Sequence, residues 1–141
     1  MAEDPIANPT ILAVVSARED RTWLASIFAH SNWKLRFARI LPDTQTELSK
    51  SPMGVVISET CLFDGHCWKD VLHEIQKMED PPPLIVADRL ADERLWSEVL
   101  NFGAHDLLAK PFDAREVLHA VTTACRRSEN EHRLRKVTMP G

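Results

Sequence analysis

Short apolar runs alternate with helical stripes along most of the chain. Ile11-Leu12-Ala13-Val14-Val15 is a largely β-branched run of strand length. It is too continuous for a sheet with one face in water, so it predicts a strand covered on both sides. Trp23, Leu24, Ile27 and Phe28 recur one helical turn apart and predict an amphipathic helix over residues 18–30. Leu35 and Phe37, with Trp33 before them, alternate as a second strand does. Pro42 and Asp43 then open a weak helix through Ser49, ended by Ser51-Pro52.

Val55-Val56-Ile57 is a third buried run, followed by a helical stripe of Trp68, Val71, Leu72, Ile75 and Met78. Pro81-Pro82-Pro83 stops that helix, because proline cannot extend the hydrogen-bond ladder. Leu84-Ile85-Val86-Ala87 is a fourth strand, and Leu95, Trp96, Val99 and Leu100 mark a helix closed by Gly103 as a left-handed cap. Leu107-Leu108 is a short fifth strand. Asp113 then caps a last helix that carries Glu116 in capping-box position and buries Val117, Leu118, Val121 and Cys125. Strict alternation of strand and helix means a parallel sheet with helices on both faces, joined by right-handed crossovers. Polar chemistry in such folds gathers beyond the carboxyl ends of the strands. Ser16, Ser58, Glu59, Asp88 and Lys110 hold those places.

Length and composition narrow the function. A chain of 141 residues suits one domain. With 44% hydrophobic and 27% charged residues and a net charge of −4, it is not built to coat nucleic acid or an anionic membrane. No apolar run approaches the length of a membrane span. The three cysteines, Cys61, Cys67 and Cys125, are an odd number without a secretory leader, and predict a reducing, cytoplasmic setting. Its four glycines stand apart, so no phosphate-cradling loop is present.

The segment Gly103-Ala104-His105-Asp106-Leu107-Leu108-Ala109-Lys110-Pro111-Phe112 resembles the G-A-x-D-Y/F-L-x-K-P-F signature of bacterial response-regulator receiver domains, which are CheY-like. The resemblance spans residues 10–126, and leaves residues 1–9 as a flexible segment and 127–141 as a charged extension or linker. It implies a doubly wound, flavodoxin-like five-stranded parallel sheet of order 2-1-3-4-5. It also implies a chemistry. A receiver accepts a phosphoryl group from a histidine kinase on an aspartate ending the third strand. Mg²⁺, held by acids after the first strand, neutralises the developing charge. A hydroxyl after the fourth strand and a lysine after the fifth then grip the phosphate and move an aromatic on the fifth strand.

Matched to that pattern, only Lys110 is kept. Val15 and Ser16 stand where the metal-binding acids belong, and Glu59, or Ser58 one register step earlier, stands for the phosphoacceptor. Asp88 takes the hydroxyl's place and Leu107 the aromatic switch position. Val15 cannot ligate a hard cation, and Asp88 would repel a phosphate. Two readings of Glu59 follow: a mimic of the phosphorylated aspartate reaching Lys110, or part of a fixed ion pair in which Asp88, Glu59 or both neutralise Lys110.

Other constellations carry less. Cys61, Asp64, His66 and Cys67 fit no common zinc spacing, and the histidines have no nucleophilic partner at a recognisable spacing. Trp23, Trp33, Trp68 and Trp96 read as packing residues, with Trp96 also able to anchor a partner. The face of the fourth helix, fifth strand and fifth helix, including Arg94, Glu98 and His119, is the candidate surface for a homodimer or a target. Glu129 and Glu131 interrupt the basic tail and argue against nucleic acid.

The expectation is therefore a pseudo-receiver. It works by contact with a protein partner (a signalling kinase, an output domain or a second copy), with no catalytic residue, cofactor or metal. The alternative is a phosphorylatable receiver with a non-standard acceptor and Mg²⁺ recruited through Glu59, Asp64 or Asp88. A small-ligand module in the same cleft is the third possibility.

Overall fold

The structure, a computed structural model, describes residues 10–138, with side chains described through residue 131. The predicted N-terminal segment 1–9 lies outside the described residues, as do the side chains of Arg133, Arg135 and Lys136. The elements run β1 (Thr10–Val14), α1 (Arg18–Phe28), β2 (Lys34–Ala38), α2 (Leu41–Lys50) and β3 (Val55–Glu59). Then come α3 (Trp68–Gln76), β4 (Leu84–Asp88), α4 (Glu93–Asn101), β5 (Asp106–Ala109) and α5 (Ala114–Thr138). The strands pair in parallel, as the alternating pattern implies, and in the order β2-β1-β3-β4-β5 that the receiver resemblance implies.

Strand alternation builds two cores. Ile11, Ala13, Val55, Ile57, Ile85 and Ala87 face α1 and α5, where they meet Leu24, Phe28, Val117 and Val121. Leu12, Val14, Val56, Leu84 and Val86 face the other way, onto Leu48 of α2, Trp68, Val71 and Ile75 of α3, and Val99 of α4. This is why β1, β3 and β4 read as continuous apolar runs: both faces are dry. Edge strand β2 instead alternates, sending Leu35 and Phe37 to the first core while Lys34 and Arg36 are exposed or paired outward, a pattern that discourages edge-to-edge pairing.

Local signals explain the ends. Asp92 caps α4 by accepting from Leu95 N, and Asp113 caps α5 by accepting from Glu116 N. Gly103, at φ +103°, lets Gly103 N and Ala104 N turn back onto Leu100 O and Val99 O, closing α4. One helix end differs from the sequence expectation. Helix α1 ends at Phe28 rather than 30, because Ser31 folds back onto the Phe28 carbonyl through both its N–H and its hydroxyl. Trp23 and Trp96 do not pack in the core but stand about half exposed, while Trp68 is buried. The charged stretch after Arg126 continues α5, with Arg127 paired to Glu131 one turn on.

Candidate functional site

The strand tips carry two separate polar groupings, and strand parity decides which residue joins which. Glu59 follows Val55 and Ile57 onto the α1/α5 side of the sheet, and Lys110 follows Leu108 onto that same side. There Lys110 Nζ lies 2.7 Å from Asp20 Oδ2 and 3.6 Å from Glu59 Oε1. All three side chains are nearly buried, between 9% and 11% exposed. The second Glu59 oxygen, Oε2, accepts from Ser16 N at 2.9 Å, so both carboxylate oxygens of Glu59 are engaged. The Lys110–Pro111 peptide is cis.

Asp20 was not among the sequence candidates. An acid in the first turn of a helix ordinarily complements the helix dipole and stays wet. The signal was its spacing: Asp20, Leu24 and Phe28 are the three buried residues of α1, four apart, so Asp20 occupies a position on the apolar stripe. A buried carboxylate there needs a cation, and Lys110 supplies it.

Of the two acids that could neutralise Lys110, Glu59 pairs with it and Asp88 does not. It follows Leu84 and Val86 toward the α3/α4 side. Its Oδ1 accepts from Thr60 Oγ1 at 2.6 Å, and its Oδ2 from Leu90 N at 2.9 Å. Only its backbone meets the lysine, through Lys110 N donating to Asp88 O. Ser58 is fully buried on that second face, its hydroxyl hydrogen-bonded to the Glu59 carbonyl. Val15 is a core residue with no exposure, and Ser16 contributes its backbone N–H rather than its hydroxyl to the pocket. The structure thus brings together Ser16, Glu59 and Lys110, adds Asp20, and sets Ser58 and Asp88 apart.

Leu107, which the resemblance sets at the switch position, is half-buried against the second core. It lines a groove of about 420 Å³ between α4 and α5, with Trp96 and His119 on its walls.

The residues at the tips do not fit a Mg²⁺ ion. Where its ligands would gather stand the aliphatic Val15 and a lysine ammonium already inside the carboxylate pair. The carboxylates that could recruit the ion otherwise are each turned to separate partners: Glu59 to Ser16 and Lys110, Asp88 to Thr60 and Leu90, Asp64 to Leu41 and His66. Among the described residues no cluster of three or more His, Cys, Asp or Glu side chains forms a metal-sized set. Among them too, no helix is long and apolar enough to cross a membrane.

No family model matches the chain, and no curated protein matches its sequence. The likeness is three-dimensional. The chain is similar to the signal receiver domain of an HD domain-containing protein from Pseudomonas fluorescens Pf-5, at TM-score 0.81 and 23% identity, covering 94% of this chain and 97% of that one. It is similar to the signal receiver domain of a putative Luxo repressor protein from Vibrio parahaemolyticus, at TM-score 0.81 and 20% identity, covering 90% and 97%. It also matches NtrX from Brucella abortus in complex with ADP, at TM-score 0.85 and 18% identity, over 95% of this chain and 31% of NtrX. With its five parallel strands in the order 2-1-3-4-5 and helices on both faces, the chain has the fold of response-regulator receiver domains.

Proposed function

We propose that the chain is a receiver-like module of bacterial two-component signalling that acts by binding protein partners in the cytoplasm, without phosphoryl transfer and without enzymatic activity. One observation carries this reading: the Lys110 ammonium is clamped by Asp20 and Glu59 inside the fold. In the receivers that the chain resembles, the lysine grips the phosphoryl group once it is on the acceptor. Here two carboxylates already provide the negative charge that the phosphoryl group would bring, and a further anion would meet net repulsion. Glu59 is thus part of a built-in ion cluster, and the pocket is held in one state.

Such a module communicates through surface shape. The groove between α4 and α5, with Trp96 half exposed on its wall, supports this face as the contact surface for a kinase, an output domain or a second copy. Incubation of the full chain with acetyl phosphate and excess Mg²⁺, read by intact mass, tests the proposal. No adduct is expected. A stoichiometric phosphoryl adduct on Glu59 or Ser58 overturns the proposal in favour of a phosphorylatable receiver with an unusual acceptor.

A further inference from the structure

Beyond Thr60 the chain runs outward and doubles back before α3 begins. Gly65, at φ +92°, makes the turn, with its N–H on Leu62 O at 3.1 Å. Leu62 N donates to His66 O at 2.7 Å, and Trp68 N donates to Thr60 O at 3.1 Å. Between these two bonds Cys61 and Cys67 face each other as an antiparallel bridge. The bonds are made by the residues flanking the pair on either side, so the two cysteines form the non-hydrogen-bonded type of pair. In that type the Cα atoms stand about 4.5 Å apart and the side chains share one face. A disulfide spans Cα separations of about 4.4–6.8 Å, so this register suits one without moving the backbone.

Neither cysteine is in a disulfide; Cys61 is exposed, its Sγ donating to Leu62 O at 3.9 Å, and Cys67 is half-buried. The third cysteine differs. Cys125 lies on the buried face of α5, and burial pushes its thiol up to about 11, which keeps it protonated and unreactive at neutral pH.

We propose that Cys61 and Cys67 are a redox site that closes to an intramolecular disulfide by exchange with a small-molecule disulfide. The thiolate of one cysteine attacks a sulfur of the small disulfide, whose S–S bond breaks to leave a mixed disulfide and one small thiol. The thiolate of the second cysteine attacks the protein sulfur of that mixed disulfide, and the second small thiol leaves. The two protein thiols are oxidised, the small disulfide is reduced to two thiols, and the two cysteine protons end on those thiols.

The surrounding loop is tied down by contacts outside the cysteine pair. Asp64 Oδ2 accepts from Leu41 N at 3.0 Å and Oδ1 from His66 N at 3.2 Å. Desolvation pulls the Asp64 carboxyl upward, and the bonds from Leu41 and His66 outweigh it, leaving the group below the usual carboxylate range. Arg39 stacks over Phe63 at 4.5 Å. The closed ring is short, so the link constrains the unfolded chain little and acts locally. It ties the segment just after Glu59 and Thr60 to the start of α3.

The test equilibrates the full native chain with graded mixtures of oxidised and reduced glutathione, quenches with acid, alkylates under denaturation and digests with trypsin. Residues 51–69 form one tryptic peptide holding both cysteines. The expected result is that this peptide loses two hydrogens and all alkylation as oxidised glutathione rises, while Cys125 stays alkylatable. Cys61→Ser and Cys67→Ser each leave the remaining cysteine carrying glutathione instead. A wild-type peptide that stays alkylated in excess oxidised glutathione, or that carries glutathione as the single variants do, overturns the proposal.

Discussion

Glu59 ends β3 and Asp88 ends the neighbouring β4, where Glu59 pairs in register with Ala87, one residue before Asp88. The two carboxylates are neighbours in the sheet and separate in their chemistry. Glu59 turns to the α1/α5 side and is nearly dry, shared between an ammonium and a backbone N–H. Asp88 turns to the α3/α4 side, is partly exposed, and takes a hydroxyl and a loop N–H. Placement on one face or the other, more than the identity of the acid, decides which carboxylate governs the lysine. It also ranks the two energetically. A buried charge left without its partner has no water to replace it, whereas a half-wet carboxylate does.

Removing the cation from the drier cluster gives the largest expected effect. Lys110→Met leaves Asp20 and Glu59 buried beside each other, and breaking a buried pair in this way costs about 3–5 kcal/mol. Urea denaturation measures it; a loss below about 1 kcal/mol, as for an exposed pair, would erase the contrast between the two tips. The wetter grouping responds less. Thr60→Val removes one donor to Asp88 while water reaches the oxygen, and an expected loss of about 1 kcal/mol follows. A loss matching that of Lys110→Met would show that the two groupings act as one.

The smallest effect lies at the opposite end of the sheet and serves as a control on both tips. Burial pushes the His105 imidazole below its ordinary value, against the pull of Asp106. As pH falls the unfolded chain therefore takes up a proton before the folded one does. The stability tied to neutral His105 is complete above about pH 6.5 and is lost as pH falls through the folded value. His105→Gln flattens that acid-side loss in a pH series of denaturation midpoints. An unchanged slope would assign the acid response to other groups.

Much of this was legible in the residues. The apolar runs of β1, β3 and β4 announce strands dry on both faces, and the lysine of the fifth-strand segment marks the pocket. Gly103 and Asp113 end one helix and start another for reasons of backbone geometry alone. The pocket's membership was harder to read. Asp20 looks like an ordinary first-turn acid until its spacing from Leu24 and Phe28 is given weight. The pairing of Lys110 with Asp88 looked reasonable because both follow adjacent strands. Side-chain alternation along β4, with Leu84, Val86 and Asp88 on one side, forbids it. Trp23 and Trp96 stand at the margins of their amphipathic stripes, where large rings remain half exposed.

The most direct test of the self-neutralised lysine is a double-mutant cycle between Asp20 and Lys110, read by urea denaturation of Asp20→Leu, Lys110→Met and the double variant. The account predicts that the double variant recovers much of what Lys110→Met loses, with a coupling of at least about 1 kcal/mol, because the second change removes a stranded charge. Effects that add to within about 0.5 kcal/mol would mean that the lysine does not depend on Asp20, and would contradict it.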